Sequence, residues 1–290
     1  MKIKFWGTRG SIPVNGKEFC KYGGNTSSVE ILPSENISFI LDAGSGIRNA
    51  GIDIIKRKEV EKIFIFLSHF HTDHIVGLPF FTPFYKENYS INIFGLPYIY
   101  NTIEKIVDLI IGPPFFTLTK ENFKAKILFK NLSIGDVFNI NGVIVSTIKV
   151  NHPDPTLGYK IIYKNQTIVY ITDNELIQNN QLSLDNIEKV IREKHVDLIE
   201  FCKNADVLIH DTSYDIDDYN ERIGWGHSNI YSAAMLGHLA KVKKLYLFHY
   251  DPSYDDNKID TLLNKTQKFS KKINGRIECY ASSDYMEVEI

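Results

Sequence analysis

The chain has 290 residues, with 33 Lys and Arg against 35 Asp and Glu, for a formal net charge of −2. That balance argues against a chain that grips duplex nucleic acid along a broad basic face, and the length is enough for a sizeable core. At 43% hydrophobic and 23% charged residues it reads as a folded globular protein, not a disordered one.

Three cysteines, Cys20, Cys202 and Cys279, are odd in number and far apart. They make no disulfide framework and fit a reducing compartment. No apolar run of about 18 residues marks a membrane span, and "MKIKFWGTRGS" lacks the long apolar segment of a signal peptide. A cytoplasmic location is expected.

Short runs rich in Ile, Val, Phe and Tyr predict strands at 3–6, 28–32, 37–44, 62–69, 91–95 and 143–152. Further strands are expected at 167–173, 206–211, 244–250 and 285–290. Helices are expected over about 98–111, 185–203 and 228–241, the last for its small and apolar residues at helical spacing. Strands lead early and alternate with helices later, which suggests sheets with helices packed outside them. No linker or low-complexity tract divides the chain, so 1–290 reads as one domain. Segment 79–126, rich in Phe, Pro and Tyr, reads as an insertion near the active site. It either walls a pocket or serves as a packing flap.

The stretch "LSHFHTDHIVGLP" (67–79) puts His69, His71, Asp73 and His74 into six residues, directly after an apolar run. Three of the nine histidines sit there. Other apolar runs also end in a metal-capable side chain: His152, Asp173 and His249. Strand ends on one rim of a sheet can converge on a crevice while the strands hold them rigid. In an extended segment His69 and His71 point to the same side. His152 completes a three-histidine set that suits Zn²⁺. Asp73, His74 and His249 suit a second ion, and the two oxygens of Asp173 suit a bridge. A metal ion lowers the pKa of bound water from about 15.7 to about 7, and a pair about 3.5–4 Å apart clamps a phosphoryl group.

"HFHTDH", with His152, Asp173 and His249 following in order, resembles the HxHxDH signature of the metallo-β-lactamase fold. The resemblance covers essentially all of 1–290. It implies an αββα sandwich of two mixed β-sheets flanked by helices. It also implies a site at one edge holding two divalent metal ions, Zn first, with Mn or Fe as alternatives. "ADVLIHDTSYD" (205–215), "GWGHSN" (224–229) and "LFHYDP" (247–252) resemble the ribonuclease Z-like branch, which includes cyclic-phosphate phosphodiesterases. By this match Asp211 stands in the place of an acid. His227 stands where a histidine contacts phosphate and protonates the leaving oxygen. Asp73 is counted as catalytic as well as metal-binding. The chain departs from the branch in having "HDTS" and "HSN" for "HEAT" and "HST".

"WGTRGSIP" (6–13) and "YGGNTSSVEI" (22–31) carry Gly-rich turns whose amides can approach an anion. In relatives such loops border the active site. Thr8, Arg9, Ser11, Asn25 and Thr26 are therefore candidate substrate contacts beside His227, and Arg9 can pair with phosphate. Tight turns between the first strands are the alternative. Asp42 and Ser68 are expected to support the metal loop. His195 is expected to face solvent and His238 to be structural. His210 adjoins Asp211 at the end of a buried-looking strand.

These features lead to a dinuclear-metal phosphodiesterase that hydrolyses a small phosphodiester, a cyclic nucleotide or another cyclic phosphate, by metal-bound hydroxide. The expected partners are that substrate and a second copy of the chain, with no membrane and no extended nucleic-acid surface. One alternative is a ribonuclease Z-like nuclease, although no Gly-Pro-rich arm is visible. Another is hydrolysis of a carboxyl ester, thioester or lactone on the same fold. Asp173 in place of Cys speaks against the lactamase subgroup, and His71 in place of Glu against the diiron oxidoreductases.

Overall fold

The computed structural model describes residues 1–98, 102–178, 183–273 and 276–290. Among them the strands are β1 (Lys2–Gly7), β2 (Ser28–Ser34), β3 (Ile37–Leu41), β4 (Lys62–Phe66), β5 (Ser90–Gly95), β6 (Lys126–Asn131) and β7 (Val137–Ile140). They continue with β8 (Val143–Lys149), β9 (Leu157–Tyr163), β10 (Gln166–Ile171), β11 (Val207–Asp211), β12 (Lys244–Phe248), β13 (Glu278–Ala281) and β14 (Glu287–Glu289). The helices are α1 (Ile47–Lys56), α2 (Thr72–Ile75), α3 (Ile103–Ile110), α4 (Leu184–Lys194), α5 (Val196–Cys202), α6 (Ile216–Tyr219), α7 (Ile230–Leu239) and α8 (Asp256–Lys272). The strands form two seven-stranded mixed sheets. The chain divides into two compact units, one per sheet.

The first unit comprises Met1–Asn15, Gly23–Ile134 and Ser283–Ile290. Its sheet runs β14-β1-β2-β3-β4-β5-β6. Pairing is antiparallel from β14 to β3 and parallel from β3 to β6. The β-rich runs alternate faces with period two. Ile40, Ile63, Ile65, Ile91 and Ile93 pack with α1, α3 and Leu78, Phe81 and Phe84. Phe39, Phe66 and Phe94 stack on one another, with ring centroids 5.6 and 4.7 Å apart. Each such side chain contributes about 1.5–3 kcal/mol on burial. Helix α1 buries Ile47, Ala50, Gly51 and Ile54, and a Cβ at Gly51 would press on Phe81 and Pro83 at 2.9 Å.

The second unit comprises Gly16–Tyr22 and Gly135–Ser282. Its sheet runs β13-β12-β11-β10-β9-β8-β7, parallel from β13 to β10 and antiparallel from β10 to β7. Helices α4, α5, α7 and α8 supply its core with Ile191, Leu198, Ala234, Leu236, Ile259 and Leu262. Helix α7 is buried nearly all round, which its small and apolar sequence "IYSAAMLGHL" permits. Asn229 caps it, the side-chain oxygen accepting from the amides of Tyr231 and Ser232 at 3.0 Å.

Several expectations need correction. Segment 79–126 is only partly an insertion, because β5 lies inside the first sheet between β4 and β6. The helix expected at 98–111 is α3, capped by Thr102, and residues 99–101 lie outside the described residues. The single helix expected at 185–203 is two, broken at His195. His195 is half-buried, not solvent-facing, and its Nε2 donates to the carbonyl of Leu176 at 2.7 Å. Helices α1, α2, α6 and α8 and strands β6, β7, β9 and β13 were not expected from the sequence. Among the described residues, no helix is long and apolar enough to cross a membrane.

Candidate metal centre and acid–base pair

In the first unit β3 and β4 are parallel neighbours, so residues leaving their C-terminal ends share one rim. Asp42 follows β3 with φ 61°, in the left-handed region. Ser68 and His69 follow β4, and Asp73 and His74 lie on the short α2. His69, Asp73 and His74 are buried, while His71 is exposed. The His69 ring lies 4.5 Å from that of His71 and 4.3 Å from that of His74, centroid to centroid.

Asp42 organises this rim. Its Oδ1 accepts from the Ser68 amide at 2.7 Å, and its Oδ2 accepts from Ser68 Oγ at 2.9 Å and from His74 Nδ1 at 2.8 Å. Ser68 Oγ lies 3.1 Å from His69 Nδ1. These contacts direct protons to Nδ1 and leave Nε2 as the donor-type nitrogen. His74 Nε2 lies 3.1 Å from Asp73 Oδ2, a pair of donor atoms that a cation would bring together.

The N-terminal turns tie into this rim. Asp73 Oδ2 accepts from the Ser11 amide at 2.8 Å. Thr26 Oγ1 accepts from the Ser45 amide at 2.8 Å, and Asn25 Oδ1 accepts from Ser45 Oγ at 3.0 Å. Ser11 is exposed and Asn25 half-buried, whereas Thr8, Arg9 and Thr26 are fully buried. Arg9 Nε donates to the Gly23 carbonyl at 2.9 Å. Asp284 fixes the second turn, its Oδ2 accepting from the amides of Gly24 and Asn25 and from Asn25 Nδ2 at 2.9–3.1 Å. Burial pushes the Asp284 carboxyl up to about 6, against the opposite pull of those donors and of the Arg9 charge.

In the second unit β10, β11 and β12 are parallel neighbours. Asp173, Asp211 and His249 therefore leave one rim, with Asp173 at φ 47° and His249 at φ 62°. His152 follows β8, and His227 precedes α7. Asp173 Oδ1 lies 3.2 Å from His249 Nε2, and its Oδ2 lies 3.9 Å from His152 Nε2. One carboxylate thus faces two imidazoles with separate oxygens. Here too Nδ1 is engaged: that of His249 by Ser213 Oγ and that of His152 by Thr156 Oγ1, both at 3.1 Å. Asp173, His227 and His249 each offer a ligand atom within 4.8 Å of the others.

Asp211 is fully buried, and its Oδ2 lies 2.9 Å from His227 Nδ1. Burial alone would raise this carboxyl, but His227 and His249 beside it hold it below the usual carboxylate range. The His227 ring stacks on that of His249 with centroids 4.9 Å apart. His210, on β11, has Nδ1 2.7 Å from the Asp211 carbonyl and Nε2 3.2 Å from Asn174 Nδ2. That pattern requires a neutral ring with its proton on Nδ1, and burial lowers its pKa in the same sense. His238 lies in the last turn of α7.

The donors in both units fit divalent metal ions. They are imidazole nitrogens and carboxylates, and four of the histidines meet an oxygen through Nδ1, the outer arrangement that orients metal ligands. Thr156, Ser213 and Asp284 were not singled out from the sequence. Ser213 alone left a trace there, two residues beyond Asp211 in "HDTS".

Residues 38–250 match the family model described as the β-lactamase superfamily domain, and the chain belongs to that family. It is a metal-dependent hydrolase of the metallo-β-lactamase fold, ribonuclease Z-like in sequence. It is 28% identical to the ribonuclease Z of Picrophilus torridus, over 100% of this chain and 96% of that protein. Among solved structures it is similar to the metallo-β-lactamase fold protein YhfI of Bacillus subtilis. The TM-score is 0.68 at 19% identity, covering 99% of both chains. It is also similar to yeast PDE1, with a TM-score of 0.67 at 14% identity, covering 100% of this chain and 99% of that one. The structural likenesses carry the fold alone.

Proposed function

We propose that the protein is a dinuclear-metal phosphodiesterase acting on a small phosphodiester, a cyclic nucleotide or another cyclic phosphate. The observation that carries this reading is the Asp211–His227 hydrogen bond, beside Asp173 and His249. A carboxylate-oriented imidazole is what a departing alkoxide needs for a proton.

In this reading 1–290 acts as one catalytic domain. His69, His71, Asp73, His74, His152, Asp173 and His249 hold two divalent ions. Zn²⁺ is favoured, and Mn²⁺ or Fe also suits His and Asp donors. When bound, the ions supply an activated water at neutral pH and neutralise charge on the phosphoryl group. Asp211 keeps the His227 ring oriented with Nδ1 toward itself. His227 gives the proton on Nε2 to the oxygen that leaves phosphorus as the P–O bond breaks. Asp73 serves as both donor and catalytic carboxylate. Of the five turn residues expected to touch substrate, Ser11 and Asn25 reach the surface and keep that assignment, while Thr8, Arg9 and Thr26 are fully buried and are reassigned to shaping the turns. The free state of all three cysteines supports a cytoplasmic setting.

The whole-length match to ribonuclease Z favours a second reading, cleavage of an RNA. One experiment separates the two. Protein loaded with Zn²⁺ or Mn²⁺ is assayed on bis(p-nitrophenyl) phosphate, on 2′,3′- and 3′,5′-cyclic nucleotides, and on a tRNA precursor. Turnover of the generic diester and a cyclic nucleotide supports the first reading. Turnover of the RNA with silence on the cyclic panel supports the second. Silence on every phosphodiester, from protein that holds its metals, removes both.

A further inference from the structure

Glu175 lies two residues beyond Asp173 and is fully buried. Its Oε1 accepts from the Tyr219 hydroxyl at 2.8 Å and from the Gly224 amide at 2.7 Å. Its Oε2 accepts from the Gly226 amide at 3.3 Å and from Gln178 Nε2 at 3.2 Å. One side chain thus holds two amides of the turn immediately before His227. Both glycines have φ near 90°, and Trp225 between them is 61% exposed. Burial of Trp225 therefore does little to fix this turn, and glycines alone would leave it free.

The backbone around Glu175 continues the same pattern. The Asn174 carbonyl accepts from Ser228 Oγ at 2.5 Å, and the Leu176 amide donates to Ser228 Oγ at 3.2 Å. On the other side the Glu175 amide donates to the Asn151 carbonyl at 2.8 Å, and Asn151 Nδ2 donates to the Glu175 carbonyl at 2.6 Å. The segment after Asp173 therefore joins the loop of His152 to the loop of His227. The fit at the second glycine is tight, because a Cβ on Gly226 would run into the His152 ring. A small shift of this turn would also move Nδ1 of His227 relative to Asp211.

We propose that Glu175 is a positioning residue whose carboxylate clamps the Gly224–Gly226 turn and so aims His227 at Asp211. Its effect on turnover rests on the phosphodiesterase reading, but its effect on the turn does not. Two oxygens that both accept are what a carboxylate offers and a carboxamide does not. Glu175→Ala therefore releases both glycine amides, whereas Glu175→Gln keeps the Gly224 bond and releases Gly226.

The test is residue-resolved amide exchange on the metal-loaded full chain, with the low-field Nδ1 proton of His227 as a second signal. In Glu175→Ala, exchange at Gly224 and Gly226 rises by more than about 10-fold, and the His227 proton signal is lost. In Glu175→Gln, only Gly226 rises. On bis(p-nitrophenyl) phosphate kcat falls by about 10²-fold, the scale of a small misplacement, while KM stays near that of the wild type. The double variant Glu175→Ala/His227→Ala is no slower than His227→Ala. Unchanged exchange at both glycines in Glu175→Ala overturns the clamp. If that variant alone fails to fold, unchanged exchange at Gly226 in Glu175→Gln does the same. Raised exchange with an intact His227 proton signal overturns the aiming role. A wild type inert on every diester removes the catalytic reading and leaves exchange and the His227 proton to decide the clamp.

Discussion

His227 Nδ1 lies 2.9 Å from Asp211 Oδ2, and the carboxylate is buried completely. The pair selects one ring orientation, and in the proposed reaction Nε2 is the atom at which a proton is exchanged. His227→Ala should therefore keep its metal and lose kcat by about 10²–10⁴-fold, the usual weight of a general acid. Metal analysis alongside steady-state kinetics checks this. A fully active variant would mean that another group protonates the leaving oxygen.

Asp173 faces His249 and His152 with different oxygens. Asp173→Ala should lower metal content by at least one equivalent after exhaustive dialysis, unlike His227→Ala. Elemental analysis of the two variants side by side reads the difference. Equal, full loading of both would remove Asp173 from the ligand set.

Asp42 accepts from Ser68 twice and from His74 once, without being proposed as a ligand. Asp42→Ala should weaken metal affinity by about 10–100-fold, the effect expected of an outer partner. Competition with a chelator of known affinity measures it. Wild-type affinity would show that the metal loop holds itself.

Asp284 gives a pH dependence of stability whose sign follows from burial. Its carboxyl is raised from an ordinary 3.8 to about 6. Below 3.8 the folded and unfolded chains are both protonated, and the folded state bears no cost. As pH rises toward 6 the unfolded chain releases its proton first, so stability falls, and the cost is complete above 6. The displacement corresponds to about 3 kcal/mol. Asp284→Asn keeps an acceptor for Gly24 and Asn25 and carries no charge. Its stability relative to wild type should climb between about pH 4 and 6 and then level off. Urea midpoints across that range test this, and a flat difference would rule out a burial-raised carboxyl.

The candidate site was legible in the sequence where its residues follow strands. His69, Asp173, Asp211 and His249 stand at or just beyond the ends of β4, β10, β11 and β12, and apolar β-branched runs announce those strands. Glu175 and Asp284 are single polar residues whose partners lie 49 and 260 residues away in the chain, and Thr156 is one threonine among many, so composition gives no sign of these three. Helix α8 was missed because its buried stripe is thin: Ile259, Leu262, Thr266, Phe269 and Ser270 in 17 residues. The break at His195 was missed because neither Gly nor Pro marks it. A carbonyl 19 residues earlier in the chain fixes it instead.

Asp42, Asp173 and His249 share one backbone feature, a left-handed φ at a residue other than glycine. Such conformations cost on the order of 1 kcal/mol or more each, and glycine would relieve the strain. At these three positions the substitution that relaxes the chain is also one that deletes a proposed metal donor or its support. On the proposed metal role, thermal tolerance and metal chemistry pull this sequence in opposite directions at its strand ends. A population selected for stability alone would lose the site there first.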